Sequence, residues 1–203
     1  RDSVEEGIEI LRRGWSGEPV NFEGKRFAVG DLKITPKPNR APRVLLGGMA
    51  PPAIDRAARI ADGFLCTGGL GMDTYVECLE ANGKMPEEGD IILGSWAIIA
   101  EDPRAEAERV GDYVLYQSNE YIRWGAFGPP DQTPLFPDAR TAMENGLYEL
   151  WDADMAVEKL SAMMEQYPQI SDIHFWAQFP GESVESGDRR MAYIAEKVLP
   201  RLR

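Results

Sequence analysis

The fold is decided by one stretch, Arg43-Val44-Leu45-Leu46-Gly47-Gly48-Met49-Ala50-Pro51-Pro52. Its first half is a short continuous apolar run, which is typical of a strand covered on both faces. Gly47 and Gly48 end that run, and Pro51 and Pro52 suit the first turn of a helix. We therefore predict a buried strand that turns at once into a helix ending near Ala61.

The same strand-then-helix pattern recurs three times downstream. Further strands are predicted over residues 64–67, 91–100 and 173–179. Further helices are predicted over residues 73–82, 103–121 and 153–166, with a last helix that carries Met191 and ends at Pro200. Regular alternation of this kind indicates a parallel sheet with right-handed crossovers. Four such units make half of a (β/α)8 barrel, or a small open sheet.

The remaining segments complete a predicted single α/β domain over residues 1–203. A helix over 3–13 begins with a capping box formed by Ser3 and Glu6. An extended connection follows over 15–42, with a hairpin possible across Gly24. Residues 125–146 are rich in glycine and proline, and we interpret them as an excursion or a lid.

Composition excludes several classes of function. The formal net charge of −12 argues against a nucleic-acid partner, which requires clustered Lys and Arg. No apolar run approaches the ~18 residues that span a bilayer. Two cysteines, Cys66 and Cys78, are predicted to be free thiols of a cytoplasmic protein. With His174 as the sole histidine and no Cys/His cluster, no metal site is predicted.

Two glycine-rich loops follow consecutive predicted strands. Glycine amides allow an anion to approach closely, and a helix N-terminus adds positive potential. We therefore predict that Gly47, Gly48 and Met49 bind a phosphate together with a second set, Thr67, Gly68 and Gly69. The alternative is that the glycines only permit tight turns.

The fourth predicted strand carries polar and aromatic side chains on one face. These are His174, Trp176 and Gln178, which face the interior in a barrel and are candidates for lining a pocket. The alternative is that His174 is an interior histidine with a packing role. The tryptophans at 15, 96, 124 and 151 are candidates for lining an aromatic pocket, but because they are scattered we prefer a role in core and interface packing.

Several motifs in this order resemble a known family. They are Trp15-Ser16-Gly17, Phe22-Glu23-Gly24-Lys25-Arg26-Phe27, Ile34-Thr35-Pro36-Lys37-Pro38, the run from Leu46 to Gly63, Ile173-His174-Phe175-Trp176-Ala177-Gln178-Phe179-Pro180-Gly181, and Glu196-Lys197-Val198-Leu199-Pro200-Arg201-Leu202. Together they resemble the bacterial-luciferase-like, flavin-dependent monooxygenases. The resemblance covers nearly the whole chain except 125–146.

The resemblance implies the C-terminal half of a (β/α)8 barrel that binds FMN or the deazaflavin coenzyme F-420. It assigns the cofactor phosphate to the backbone of Gly47–Met49 and Thr67–Gly69. By the family pattern strands one to four are missing, and they supply much of the flavin ring site and polar residues thought to serve catalysis. The catalytic residues are therefore unassigned. Half a barrel leaves sheet edges open, so we expect a homo-oligomer or pairing with the missing N-terminal half.

The resemblance implies an oxidoreductase that oxidises a small organic substrate with dioxygen and with reduced flavin supplied by a reductase. A non-catalytic flavin- or phosphate-binding module is the first alternative, and a deazaflavin-dependent hydride transferase is a further one. A phosphate-binding isomerase or aldolase barrel ranks last, because the strand ends carry no obvious lysine or carboxylate pair.

Overall fold

A computed structural model describes residues 2–145 and 147–202. The helices are α1 (Asp2–Gly14), α2 (Pro51–Ile60), α3 (Met72–Ala81), α4 (Pro103–Arg123), α5 (Ala139–Glu144), α6 (Ala153–Gln166) and α7 (Val184–Tyr193). The strands are β1 (Val20–Glu23), β2 (Ala28–Leu32), β3 (Leu45–Gly47), β4 (Gly63–Thr67), β5 (Ile91–Ser95), β6 (Ala97–Ile99), β7 (Glu149–Trp151) and β8 (Ile170–Phe175). A π-helical turn over Ile194–Val198 continues α7.

Four of these strands form the predicted parallel sheet, in the order β3-β4-β5-β8. Strand β3 pairs with β4 in parallel register, with Leu45 beside Gly63 and Gly47 beside Leu65. Strands β3, β4 and β8 are each followed directly by a helix, as the alternation of apolar runs and helical segments predicts. The α/β class is therefore confirmed.

The sequence analysis is wrong about the third and fourth strands in detail. The apolar run 91–100 is not one strand, because it breaks at Trp96 into β5 and β6. Strand β6 leaves the main sheet and pairs in parallel with β7, a three-residue strand that the sequence did not predict. Strand β8 starts at Ile170, three residues earlier than predicted, and ends at Phe175.

The chain before β3 folds as a helix and a hairpin. Strands β1 and β2 pair antiparallel across the turn at Gly24. The predicted capping box is wrong, because the Glu6 carboxylate instead accepts hydrogen bonds from the N–H groups of Lys25, Arg26 and Phe27 at 2.9–3.0 Å. One carboxylate thus fixes the hairpin turn against α1.

The described residues divide into two compact units. The first comprises the chain up to Leu65 together with Gly71–Ile91. Its core includes Ile54 and Ala57 of α2 and Leu79 of α3, all buried. The second unit comprises Cys66–Leu70 and the chain from Ile92 onward. That the chain behaves as a single domain over 1–203 stays a prediction, and Arg1 and Arg203 lie outside the described residues.

Helix α4 and strand β6 carry the core of the second unit. Val110 and Val114 of α4 pack with Ile98 of β6 in a fully buried cluster that also contains Tyr148 and Phe179. The predicted excursion 125–146, of which Gly146 lies outside the described residues, contains helix α5. That helix buries Ala142 completely. Its role as a lid stays a prediction.

Candidate functional site

The first glycine-rich loop, Gly47–Met49, connects β3 to α2 in a turn that only glycine accommodates. Gly48 has a φ of 156°, and a Cβ added there would lie 2.6 Å from the Cβ of Ala53. A Cβ at Gly47 would lie 3.2 Å from the carbonyl oxygen of Leu65. The backbone at this turn is therefore open to a ligand only because both side chains are absent.

The hydrogen-bond donors of this loop are backbone groups. Pro51 and Pro52 open α2 and have no N–H to offer. The N–H groups of Ala53 and Ile54 both donate to the carbonyl of Ala50 at 2.8 and 3.2 Å. Within the described part of the chain, Gly48, Met49 and Ala50 are exposed residues whose N–H groups donate no backbone hydrogen bond outside the helix and strand ladders. The helix thus contributes positive potential, while these three amides are available to an anion.

The second loop, Thr67–Gly69, uses its amides internally. Gly68 donates its N–H to the Gly94 carbonyl at 2.8 Å, and Leu70 donates to Thr67 at 3.0 Å. The Gly69 N–H is directed at the sulfur of Cys66. The Thr67 hydroxyl makes no hydrogen bond to any residue that the structure describes, so it is the group that remains available. The two loops therefore differ in whether their amides already donate within the chain. The sequence does not reveal this difference, because each loop is simply a pair of adjacent glycines after a strand.

The Cys66 thiol supports this second loop and is chemically inert. The side chain is 1% exposed, and its Sγ donates to the Leu70 carbonyl at 3.4 Å. Burial raises the pKa of the thiol to about 11, against a smaller opposing effect of the Gly69 N–H. The thiol therefore stays protonated near neutral pH and acts as a donor within the turn.

The three residues predicted to line a pocket at the end of β8 lie in different surroundings. His174 is exposed and lines a groove of about 570 Å³ with Ile173 and Met191 among others. The Trp176 ring packs against other aromatic rings. Gln178 donates from its amide to the Glu182 carbonyl at 3.0 Å. The cause is that β8 ends at Phe175, so strict alternation of faces no longer holds beyond it.

A buried ionic network fixes the segment that follows β8. Arg190 of α7, which is 3% exposed, pairs with Glu182 and with Glu106 of α4. Burial alone raises the pKa of Glu182, but hydrogen bonds from Arg190, Ser186, the Phe179 N–H and Arg109 outweigh it and hold the pKa at about 2. The network therefore keeps Glu182 ionised and connects α4, α7 and the loop between β8 and α7.

An aromatic cluster occupies the second unit, and the sequence analysis did not predict that these rings come together. Its members are Phe179, Tyr148, Trp176, Trp96, Tyr121, Trp124 and Phe127. Trp96 and Trp176 come directly after the last residues of β5 and β8, which are parallel neighbours. Their ring centroids lie 5.7 Å apart. Trp96 and Trp176 lie inside the predicted strands 91–100 and 173–179, so no sequence signal marks the two tryptophans as neighbours at strand ends.

Residues 2–145 and 147–202 contain no group of three His, Cys, Asp or Glu side chains placed to hold a metal ion. Across the same residues, no helix combines the length and apolarity needed to cross a membrane.

Comparison with known proteins finds curated relatives that are named as F420-dependent dehydrogenases. The chain is 34% identical over 211 residues to the F420-dependent glucose-6-phosphate dehydrogenase of Microbacterium testaceum, covering 98% of this chain and 60% of that protein. A relative of the same name from Kineococcus radiotolerans is 28% identical with the same coverage. The chain therefore spans about 60% of the length of these curated relatives.

Solved structures share the fold. The coenzyme F420-dependent tetrahydromethanopterin reductase of Methanopyrus kandleri superposes with a TM-score of 0.71 at 17% identity, over 100% of this chain and 63% of that one. A type II Baeyer-Villiger monooxygenase of Pseudomonas putida in complex with FMN gives a TM-score of 0.65 at 18% identity, over 100% and 63%. The predicted partial barrel agrees with the fold of these neighbours.

A family model described as luciferase-like monooxygenase matches residues 1–168. This match covers most of the chain, including both glycine-rich loops and α4. The chain belongs to the luciferase-like monooxygenase family of oxidoreductases.

Proposed function

We propose that this chain is part of a flavin-dependent monooxygenase of the luciferase-like class, which oxidises a small organic substrate with reduced FMN and dioxygen. The observation that carries the proposal is the Gly47–Met49 loop. Its three available amides precede a helix that begins with two prolines. That arrangement suits a phosphate, because amides and helix potential act on the same anion.

The residues of the first loop fit a phosphate group closely. Met49 and Ala50 are exposed, and Gly48 leaves space that a Cβ would fill. We propose that Gly48, Met49 and Ala50 donate their N–H groups to phosphate oxygens, while Gly47 keeps the turn close to β4. The helix α2 adds potential and no donors, since its first two residues are prolines.

The second loop, taken by itself, is proposed to bind through a side chain. The Thr67 hydroxyl donates to a phosphate oxygen in this proposal. Gly68 and Gly69 shape the turn, and the Gly68 amide is engaged at the Gly94 carbonyl. A bound flavin supplies the redox chemistry, and the residues of this chain hold its phosphate and exclude water around it.

Hydride transfer with a deazaflavin coenzyme is the second candidate. The names of the relatives from Microbacterium testaceum and Kineococcus radiotolerans favour it. A non-catalytic flavin-binding module is a third candidate, because the chain spans about 60% of those relatives. All three functions use the same phosphate site, so the phosphate is tested first.

We further propose that the functional protein is an oligomer or a pairing with further barrel strands. Strand β8 is at the end of the four-strand order, and the groove beside it is lined mostly by apolar residues, among them Phe175 of β8 and Ile194 of the π-helical turn after α7. An open sheet edge with apolar surface favours association with another chain or segment. Multi-angle light scattering at micromolar concentration measures the homo-oligomer, and a strictly monomeric mass contradicts that form of association.

The cofactor experiment compares ligands that differ in the phosphate. FMN, riboflavin and the deazaflavin coenzyme are titrated into the chain, and the change in their own fluorescence is followed. We expect FMN to bind at least about tenfold more tightly than riboflavin, since charge-assisted hydrogen bonds are worth about 1.5–3 kcal/mol. Equal affinities for FMN and riboflavin contradict the phosphate site. Tighter binding of the deazaflavin coenzyme than of FMN selects the hydride-transfer candidate.

A further inference from the structure

The segment that follows β8 is held by a buried pair of charges. The carboxylate of Glu182 and the guanidinium of Arg190 bond to each other, with one N···O distance of 2.9 Å, and their side chains are 1% and 3% exposed. Glu106 and Arg109 of α4 complete the network, so two carboxylates face two guanidinium groups. The network therefore carries no net charge of its own.

Three consecutive residues of the segment are bound by this pair. Arg190 donates from its Nε to the carbonyl oxygen of Ala177 at 3.0 Å. The Glu182 carboxylate accepts from the N–H of Phe179 at 3.1 Å, and the Glu182 backbone carbonyl accepts from the Gln178 side-chain amide at 3.0 Å. The Arg190 guanidinium also lies 5.3 Å from the centroid of the Phe179 ring. The path of the chain directly after β8 is therefore set by two residues of the network.

The segment lies at the carboxyl edge of the parallel sheet, because it follows Phe175, the last residue of β8. Loops that follow parallel strands at this edge hold the ligands of barrels and of open parallel sheets. Helix α7 begins directly after the segment, with Ser183 as its N-cap. From α7, Arg190 reaches back to the loop, so the helix itself fixes the connection that leads into it.

A buried ion pair of this kind adds little to stability by its attraction alone. The cost of removing a carboxylate and a guanidinium from water can exceed the attraction between them, and apolar side chains of similar volume often leave a protein equally stable. Removal of only one partner is strongly destabilising, because the other charge is then buried alone. The hydrogen bonds that Glu182 and Arg190 make to the loop, in contrast, restrict it to one conformation.

We infer that Glu182 and Arg190 are positioning residues, which hold the loop after β8 in the conformation that flavin binding requires. The inference rests on the proposed flavin-binding function, and it gives a buried ion pair of the second unit a part in that function. The two side chains act through the loop and are not assigned a contact with the flavin.

The test replaces both charges at once. Glu182→Leu/Arg190→Met keeps the side-chain volumes similar and leaves Glu106 paired with Arg109. We expect the urea midpoint to stay within about 0.5 M of that of the unmodified chain. FMN and riboflavin should both bind at least about fivefold more weakly, because a displaced loop no longer presents the geometry that binding needs. Flavin fluorescence titration measures both affinities. Amide hydrogen exchange of the loop should become at least about tenfold faster, since the Phe179 N–H loses its acceptor.

An exposed ion pair provides the matched control. Arg140 and Glu144 form an i,i+4 pair on α5, with side chains that are 87% and 62% exposed. Arg140→Met/Glu144→Leu makes the same chemical changes there and should alter flavin affinity by less than about twofold. The single variant Arg190→Met, which leaves Glu182 buried without its main partner, should lower the urea midpoint further than the double variant does.

Two results overturn the inference. One is flavin affinity in Glu182→Leu/Arg190→Met that equals that of the unmodified chain. The other is a fall in the urea midpoint of this double variant as large as that of Arg190→Met, which would make the pair a stabilising one. If the unmodified chain binds FMN and the double variant binds it equally well, only the positioning role is refuted. If the unmodified chain binds neither FMN nor riboflavin, the proposed function is refuted and the positioning role with it.

Discussion

The two glycine-rich loops are alike in sequence and opposite in hydrogen bonding. In the described chain Gly48, Met49 and Ala50 donate no backbone hydrogen bond outside the helix and strand ladders, and a Cβ at Gly48 would meet Ala53 at 2.6 Å. In the loop Thr67–Gly69, Gly68 donates to Gly94, and a Cβ at Gly68 would meet nothing within 4 Å. A glycine after a strand therefore indicates a sharp turn, whether or not a ligand binds there. Only the acceptor to which each backbone N–H donates distinguishes a candidate ligand site from a structural turn.

The largest expected effect is that of Gly48→Val. The new side chain would overlap Ala53 at a φ of 156°, so the turn must move and carry the amides of Met49 and Ala50 with it. We expect FMN affinity to fall at least about tenfold and the free energy of unfolding to fall by about 2–3 kcal/mol. Flavin fluorescence titration and urea denaturation measure the two effects. FMN affinity within twofold of the unmodified chain would refute the assignment of phosphate to this loop.

The next effect concerns the thiol that supports the second loop. Burial raises the pKa of the Cys66 thiol to about 11, above the ~8.5 of a thiol in the unfolded chain. The protonated thiol therefore makes its full contribution to the free energy of unfolding below about pH 8.5. As the pH rises toward 11, this contribution is lost, and the free energy of unfolding falls by up to about 3 kcal/mol. Urea denaturation of the chain and of Cys66→Ala between pH 7 and pH 11 measures this. The variant should show a smaller loss over that range, and parallel curves would contradict the proposed role.

A smaller effect is expected for Thr67→Val, which keeps the shape of the side chain and removes the hydroxyl. If that hydroxyl binds a phosphate oxygen, FMN affinity should fall about threefold to tenfold, corresponding to about 0.5–1.5 kcal/mol. Riboflavin has no phosphate, so its affinity should be unchanged, and it serves as the internal control. An equal loss for both ligands would place the hydroxyl away from the phosphate.

The strand-to-helix order was predictable because buried parallel strands are short apolar runs closed by Gly or Pro, as at Gly47 and Gly68. The break at Trp96 was not, since Ile91–Ala100 is apolar on both sides of it and only the pairing of β6 with β7 separates the parts. The candidate loops were located by their glycines. Two features could not be predicted: the hydrogen bond from the Gly68 amide to Gly94 and the packing of the aromatic rings into one cluster. Both depend on contacts between residues distant in the chain, for which a single sequence carries no signal.

The smallest effect is expected for Gly68→Ala, the counterpart of Gly48→Val in the other loop. Its φ of 58° is in the left-handed region, so an L-residue there costs about 1 kcal/mol of stability. No atom lies within 4 Å of the added Cβ, and the amide stays bound to Gly94. FMN affinity should therefore change by less than about twofold. A tenfold loss in flavin titration would mean that the second loop, too, offers its backbone to the phosphate, and the contrast between the loops would be lost.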